Sequence, residues 1–213
     1  MLRAMVYKEL RETVLIGVLA LVAFALSNYF PMRFYYYYGD RGIPFVQDGF
    51  VGSFAMVAVG FAIVLGLRQS FVESMRGTWL FLLHRPIPRW HVIAVKLAVG
   101  AAMYLVCAAV PILIYAQWAA TPGTHASPFE WSMTATAWQF MFAALNLYLG
   151  AFLVGIRQGR WFGTRLWPLA AAGLLTGLAM AAPWWWMLGV GLSAAFGVWL
   201  VAVILFTAYQ RDY

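Results

Sequence analysis

Residues 92–118 read VIAVKLAVGAAMYLVCAAVPILIYAQW, 27 positions in which a single charge, Lys96, interrupts an otherwise uncharged and mostly apolar run. A helix needs about 20 apolar residues to cross a hydrocarbon core of about 30 Å, and this run exceeds that length. A strand of a membrane barrel would instead alternate apolar and polar residues over about ten positions. This stretch is apolar on every side, so its backbone groups can be satisfied in lipid only as a helix.

Five more stretches read the same way: Val14 to Phe30, Gly49 to Leu67, Trp131 to Ile156, Leu166 to Ala182, and Trp184 to Tyr209. Hydrophobic residues make up 64% of the chain and charged residues 10%, with a mean hydropathy of +0.79. No soluble core hides that much apolar surface in 213 residues. The expected fold is all-α and integral to the membrane, with six transmembrane helices forming one domain over residues 1–213, short loops and no second domain.

Orientation follows from the cations. Twelve of the fourteen Lys and Arg residues fall on one side of the six segments: Arg3, Lys8, Arg11, Arg68, Arg76, Arg85, Arg89, Lys96, Arg157, Arg160, Arg165 and Arg211. Only Arg33 and Arg41 fall on the other. The positive-inside rule then puts both termini in the cytoplasm. A net charge of +7 could suggest nucleic acid, but these cations hug the bilayer and anionic headgroups are their counter-ions. No nucleic-acid partner is expected; membrane lipid is.

Residues 1–12 place Leu2, Met5, Val6 and Leu10 at helical spacing opposite Arg3, Lys8 and Arg11, which predicts an amphipathic helix lying along the interface. Ala23-Phe24-Ala25 mimics a signal-peptide cleavage site, but Glu9 and Glu12 do not suit the cationic region of such a signal. Cys107, the single cysteine, lies inside the third segment, so no disulfide forms within the chain.

The chemistry of the chain is defined mainly by what is missing from its sequence. There is no glycine-rich P-loop followed by Lys and Ser or Thr, so no ATPase site of its own. The apolar segments carry no interior charge for ion coupling except Lys96, which sits near the mouth of its helix and is expected to snorkel to the interface. His84 and His91, seven apart, have no acidic or thiol partner nearby in sequence, and no metal site is expected. Ser193 in Gly191-Leu192-Ser193-Ala194-Ala195 lacks the second glycine of a nucleophile elbow. No catalytic residue emerges, and no enzyme activity is expected.

The most specific stretch is the connection between the second and third segments, residues 73–89, reading ESMRGTWLFLLHRPIPR. Phe71, Met75, Trp79 and Leu82 share one helical face, while Glu73, Arg76, Gly77 and His84 fall elsewhere around it. Pro86-Ile87-Pro88 ends the helix, because the residue before a proline avoids the helical region. Composition alone equally allows an ordinary interfacial helix here.

Glu73, Arg76-Gly77-Thr78, Leu82-Leu83, Pro86, Arg89 and Lys96 together resemble the cytoplasmic stretch of permeases of the type-2 ATP-binding-cassette exporter family, and Lys8 to Glu12 is similar to that family's interfacial elbow helix. By motif the resemblance covers about thirty residues, of moderate specificity. It implies a permease without its own motor, dimeric with a second copy or a paralogue, working on two ATPase subunits that bind ATP and Mg. The coupling segment would be residues 68–91, with Glu73, Arg76, Gly77, Thr78, Arg85 and Arg89 as contacts to the ATPase. Unlike larger members, the chain leaves almost no loop at Pro183 to Trp186 for an outer domain.

Helix packing is suggested by Gly173, Gly177 and Ala181 in the fifth segment and by Gly189, Ser193 and Gly197 in the sixth, since small residues every four positions permit close approach. Gln139 and Asn146 share a face of the fourth segment and face protein or a pathway. Tyr35 to Tyr38 read as an aromatic belt in the loop 31–48. The expected function is an exporter permease in the cytoplasmic (inner) membrane of a bacterium, moving a hydrophobic or amphipathic substrate. The alternative is a non-transporting membrane anchor of a larger complex.

Overall fold

The computed structural model describes residues 2–38, 43–46, 49–75, 89–121, 129–157, 162–180 and 186–210. Among these residues every regular element is helical: α1 Leu2–Tyr38, α2 Phe50–Met75, α3 Arg89–Ala120, a 3₁₀ turn Trp131–Thr134 that leads into α4 Ala135–Ile156, α5 Phe162–Met180 and α6 Trp186–Gln210. Five stretches are long and apolar enough to cross a membrane: Arg3–Arg33, Phe50–Met75, Trp90–Ala120, Trp131–Ile156 and Met187–Tyr209. Such helices are those of an integral membrane protein. The 19-residue α5 is not among the five.

Three boundaries differ from the sequence expectation, one of them the end of α2, which runs on to Met75 past the expected Leu67. α1 is one helix of 37 residues, so residues 2–12 are its first three turns and not a separate elbow. No Gly or Pro breaks the helix before Gly17, and the Thr13 hydroxyl donates back to the Glu9 carbonyl at 2.7 Å. At 1.5 Å per residue α1 is about 56 Å long, well beyond the hydrocarbon thickness. At its other end Pro31 is carried inside the helix, so the backbone of Tyr35 to Tyr38 belongs to α1 and not to a loop.

α4 is the axis of the bundle. Its most apolar window is 83% buried, against 22–44% for the other four spans. It runs beside α2, where small residues bring the two backbones together. A methyl group on Gly66 would come within 2.5 Å of the Tyr148 carbonyl oxygen and 2.8 Å of the Ala151 Cβ. One on Gly155 would run into the Ser70 side chain and the Phe71 backbone nitrogen. Gly150 makes the matching approach to α5, where an added methyl would come within 2.8 Å of the Ala172 Cβ.

At one end of the bundle Phe45, Phe50 and Tyr115 pack ring on ring, with centroids 4.2–5.0 Å apart. Phe45 holds a left-handed backbone, φ 66°, unusual for a bulky residue, and its 3% exposure shows what the turn achieves. It folds the residues before α2 back over the bundle. At the opposite end Arg165 Nε donates to the Val154 carbonyl at 3.1 Å while its guanidinium lies 5.0 Å over the Phe71 ring. Arg157 reaches the Thr164 carbonyl at 3.5 Å, the group that Pro168, lacking an N–H, leaves open in α5. These two arginines tie α4 to α5 through carbonyl groups, and at Val154 the Arg165 cation also complements the C-terminus of α4.

Gly155→Val should cost about 1–3 kcal/mol of stability by overpacking the α2–α4 contact. Gly177→Val, where nothing lies within 4 Å, should be neutral. Thermal unfolding of the two purified variants in detergent checks this: the first should melt roughly 5 °C or more lower, the second with the parent chain.

Candidate functional site

Lys96 does not snorkel. It is 1% exposed, about 9 Å along α3 from the exposed Trp90 at 1.5 Å per residue, and faces α1 and α2. Its Nζ donates to Glu9 Oε1 of α1 at 2.5 Å and to Glu73 Oε1 of α2 at 2.8 Å. Glu9 and Glu73 are 3% and 4% exposed. Lys8 closes the cluster from the rim, 3.3 Å from Glu73 Oε1 and 3.7 Å from Glu12. The bundle interior at this end therefore holds a lysine and two glutamates, against the expectation of an uncharged one.

Each of the three helices contributes for a local reason. Glu9 lies on α1 one turn before Thr13, itself 1% exposed, so both share the buried face of that helix. Glu73 continues the buried series Gly66, Gln69, Ser70 on α2. Lys96 is followed by the buried Leu97, Val99 and Gly100 on α3. Burying an ammonium and two carboxylates costs several kcal/mol per ion, which only close pairing offsets.

A second layer of polar groups backs the cluster. Gln69 Nε2 donates to the Lys96 carbonyl at 3.3 Å, and the Tyr148 hydroxyl of α4 is 2.8 Å from Gln69 Oε1 and 3.3 Å from the Leu97 carbonyl. Gly100 is the residue that makes room, since a methyl group there would strike both Gln69 Oε1 and the Tyr148 hydroxyl. Side-chain ion pairs thus lead through one backbone carbonyl to α4, and four helices share one polar system.

The carboxylate oxygens of Glu9, Glu12 and Glu73 come within 4.8 Å of one another, near enough to hold a metal ion. The chain supplies its own cation instead: the Lys96 and Lys8 ammonium groups lie against these oxygens. His91 stands apart, its ring stacked on Trp90 with centroids 3.6 Å apart, and His84 lies outside the described residues.

Of the residues picked out for ATPase contact, Glu73 is buried in this cluster on α2, and Arg89 opens α3. Arg76, Gly77, Thr78 and Arg85 lie outside the described residues, as does Ala181. Phe71 and Met75, the start of the amphipathic stripe, belong to α2. Gly173 and Gly177 are exposed; among the described residues a methyl on Gly173 would meet Leu147 Cδ2 at 3.9 Å and one on Gly177 nothing within 4 Å. Gly189, Ser193 and Gly197 instead turn inward on α6, where the Ser193 carbonyl accepts from Asn146 Nδ2 at 3.1 Å. Gln139 is 3% exposed on the same face of α4 as Asn146.

The sequence reading missed Glu9 and the pairing of Lys96. A lone charge in an apolar run is the signal that should have prompted a search for partners. Those partners stand 87 and 23 residues away, and no periodicity names them. No known protein family, curated protein or solved structure matches the chain.

Lys96→Ala would take the shared cation from two buried carboxylates and should cost about 3–5 kcal/mol. Replacing all three charges, Lys96→Met with Glu9→Gln and Glu73→Gln, should restore most of it. Unfolding monitored by tryptophan fluorescence separates the two: the single variant melts roughly 10 °C lower, the triple variant near the parent.

Proposed function

We propose that this chain is the membrane-spanning permease subunit of an ATP-binding-cassette exporter, driven by ATP that two separate ATPase subunits bind with Mg and hydrolyse. The observation that carries the proposal is the Glu73–Lys96–Glu9 cluster. Glu73 lies three residues before Arg76, at the start of the stretch that resembles a coupling segment. A displacement of that stretch passes through Lys96 to α1 and α3 at once, because breaking either buried ion pair is costly. Glu73 then acts as a positioning residue inside the bundle, and Arg76, Gly77, Thr78, Arg85 and Arg89 are left as the contacts to the ATPase.

In this proposal the chain spans the cytoplasmic membrane of a bacterium six times, α5 being the additional span, with both termini cytoplasmic. It pairs with a second copy or a paralogue. The substrate is hydrophobic or amphipathic and enters from the inner leaflet, in keeping with a described interior whose buried charged residues are confined to the Lys96 end. Coupling to a flux of ions is not part of the proposal, since Lys96 and Lys8 already pair with the two carboxylates in place.

A non-transporting anchor of a larger complex is favoured by a different observation. Asn146 and Thr176, buried polar groups deep in the bundle, hydrogen-bond to neighbouring helices of the same chain, with Thr176 Oγ1 donating to the Ala143 carbonyl at 3.1 Å. That leaves fewer polar groups for a pathway.

Affinity purification of the full chain from its native membrane discriminates these. Recovery of a P-loop ATPase in equal stoichiometry supports the permease; recovery of other partners alone overturns it. In the reconstituted complex, Arg76→Glu should abolish transport-linked stimulation of ATP hydrolysis while the variant melts like the parent. Unchanged stimulation would remove Arg76 from the coupling contacts.

A further inference from the structure

A pocket of about 280 Å³ lies between the end of α4, the first half of α5 and the second half of α6. It is separate from the Lys96 cluster, which joins α1, α2 and α3. Leu153 and Arg157 form one side, Pro168 and Ala171 of α5 the second, and Leu200 and Val203 of α6 the third. Trp167 and Trp199 also line it and are 64% and 56% exposed, so the pocket opens to the outside of the bundle, where lipid surrounds the helices.

Its lining changes in character along the bundle axis. Asn146 meets Ser193, and Leu153 and Leu200 line the same pocket, so α4 and α6 run in the same direction. Arg157 follows the last residue of α4 and Thr207 lies near the end of α6, which puts both polar side chains at one end of the pocket. Trp199 stands two turns back from Thr207, about 12 Å deeper at 1.5 Å per residue. The pocket is therefore polar toward the helix ends and apolar toward the middle of the span, which is the polarity of a phospholipid in its leaflet. Its volume lies just below the range of about 300–1,000 Å³ for sites that enclose a whole drug-sized ligand. It holds a headgroup and leaves the chains outside, against two exposed indoles of the kind that collect at headgroup level.

The charge at the polar end selects the headgroup. Arg157 is exposed, and its guanidinium gives one donor, Nη1, to the Thr164 carbonyl at 3.5 Å. A guanidinium carries several N–H donors in a planar fork that matches a phosphate, so others remain for a ligand. Among the described residues Arg157 forms no ion pair with a carboxylate. Between Glu130 and Asp212 the chain has no acidic residue at all, and Arg165 adds a second cation at the same end. The ammonium of a zwitterionic headgroup thus meets arginines and no carboxylate from α4, α5 or α6, whereas an anionic headgroup meets its complement. Basic pockets between membrane helices hold anionic headgroups by this means.

We propose that this pocket binds one anionic phospholipid, its phosphodiester accepting hydrogen bonds from the Arg157 guanidinium and its acyl chains running past Trp167 and Trp199 toward the middle of the membrane. Binding of this kind needs no ATPase and stands whether or not the chain transports.

Native mass spectrometry of the full chain in detergent, titrated with dioleoyl phosphatidylglycerol or dioleoyl phosphatidylcholine, reads the binding directly. The first phosphatidylglycerol should bind about fivefold tighter than phosphatidylcholine, the worth of one basic residue at an anionic surface. Arg157→Gln should remove that preference and Arg157→Lys should keep it. Arg11→Gln, which removes an exposed cation on α1, should leave it unchanged. Ala171→Phe should lower binding of the first phosphatidylglycerol roughly tenfold by filling the pocket with Arg157 in place, and so serves should Arg157→Gln not fold. Glycerol 3-phosphate, which has the phosphate without the chains, should not displace the lipid. Phosphatidylcholine bound as tightly as phosphatidylglycerol, a preference lost equally in Arg11→Gln, or binding indifferent to Ala171→Phe overturns the proposal. Displacement by glycerol 3-phosphate overturns it as well, since the site would then be one for a free phosphate compound. So does efficient disulfide formation between two copies of Trp167→Cys in the membrane, which would make the pocket a seat for a second chain.

Discussion

An ammonium group that cannot reach water must be neutralised where it stands, and Lys96 is neutralised by carboxylates from two other helices. That requirement fixes the relative height and rotation of α1, α2 and α3 at one end of the bundle. Glu9 has to face α3, so the first turns of α1 are drawn inward and continue the long helix. Glu73 has to face it too, so α2 keeps its helical course to Met75. A hydrophobic contact could slide by a turn at modest cost; a buried ion pair with donor–acceptor distances of 2.5 and 2.8 Å cannot.

The rest of the architecture hangs on this end and on the α2–α4 seam. Gln69 and Tyr148 carry the polar system from the Lys96 carbonyl to α4, and Gly100 is the vacancy that lets the two side chains meet. Gly66, Ser70, Ala151 and Gly155 then hold two backbones closer than larger side chains would permit. In a bilayer there is little hydrophobic gain in putting helices together, so close packing and hydrogen bonds have to do it. The small residues that matter most for this are on α2 and α4, whereas Gly173 and Gly177 face outward.

The two ends of the bundle thus differ in kind. One is closed by aromatic rings around Phe45, Phe50 and Tyr115, the other by ion pairs and by arginines on helix carbonyls. An apolar closure tolerates sliding and rotation. A paired-charge closure moves as a unit, which suits a place where force would be received.

The sequence by itself determined that this is an all-helical chain with spans long and apolar enough for a membrane, because length and hydropathy are local properties. It located α3, α4 and α6 to within a few residues and the start of α2, though not its end at Met75, and it marked Gln139, Asn146 and Ser193 as residues that would be turned inward. It did not determine that residues 2–12 extend α1, that Tyr35 to Tyr38 stay helical, or that Lys96 is buried. Helix continuation past a polar segment depends on what that segment packs against. Tertiary structure alone decided that Glu9, Glu73 and Lys96 meet, since a charge near the end of a helix can either reach for water or find a partner. Only the neighbouring helices determine which, and they come from parts of the chain up to 87 residues away.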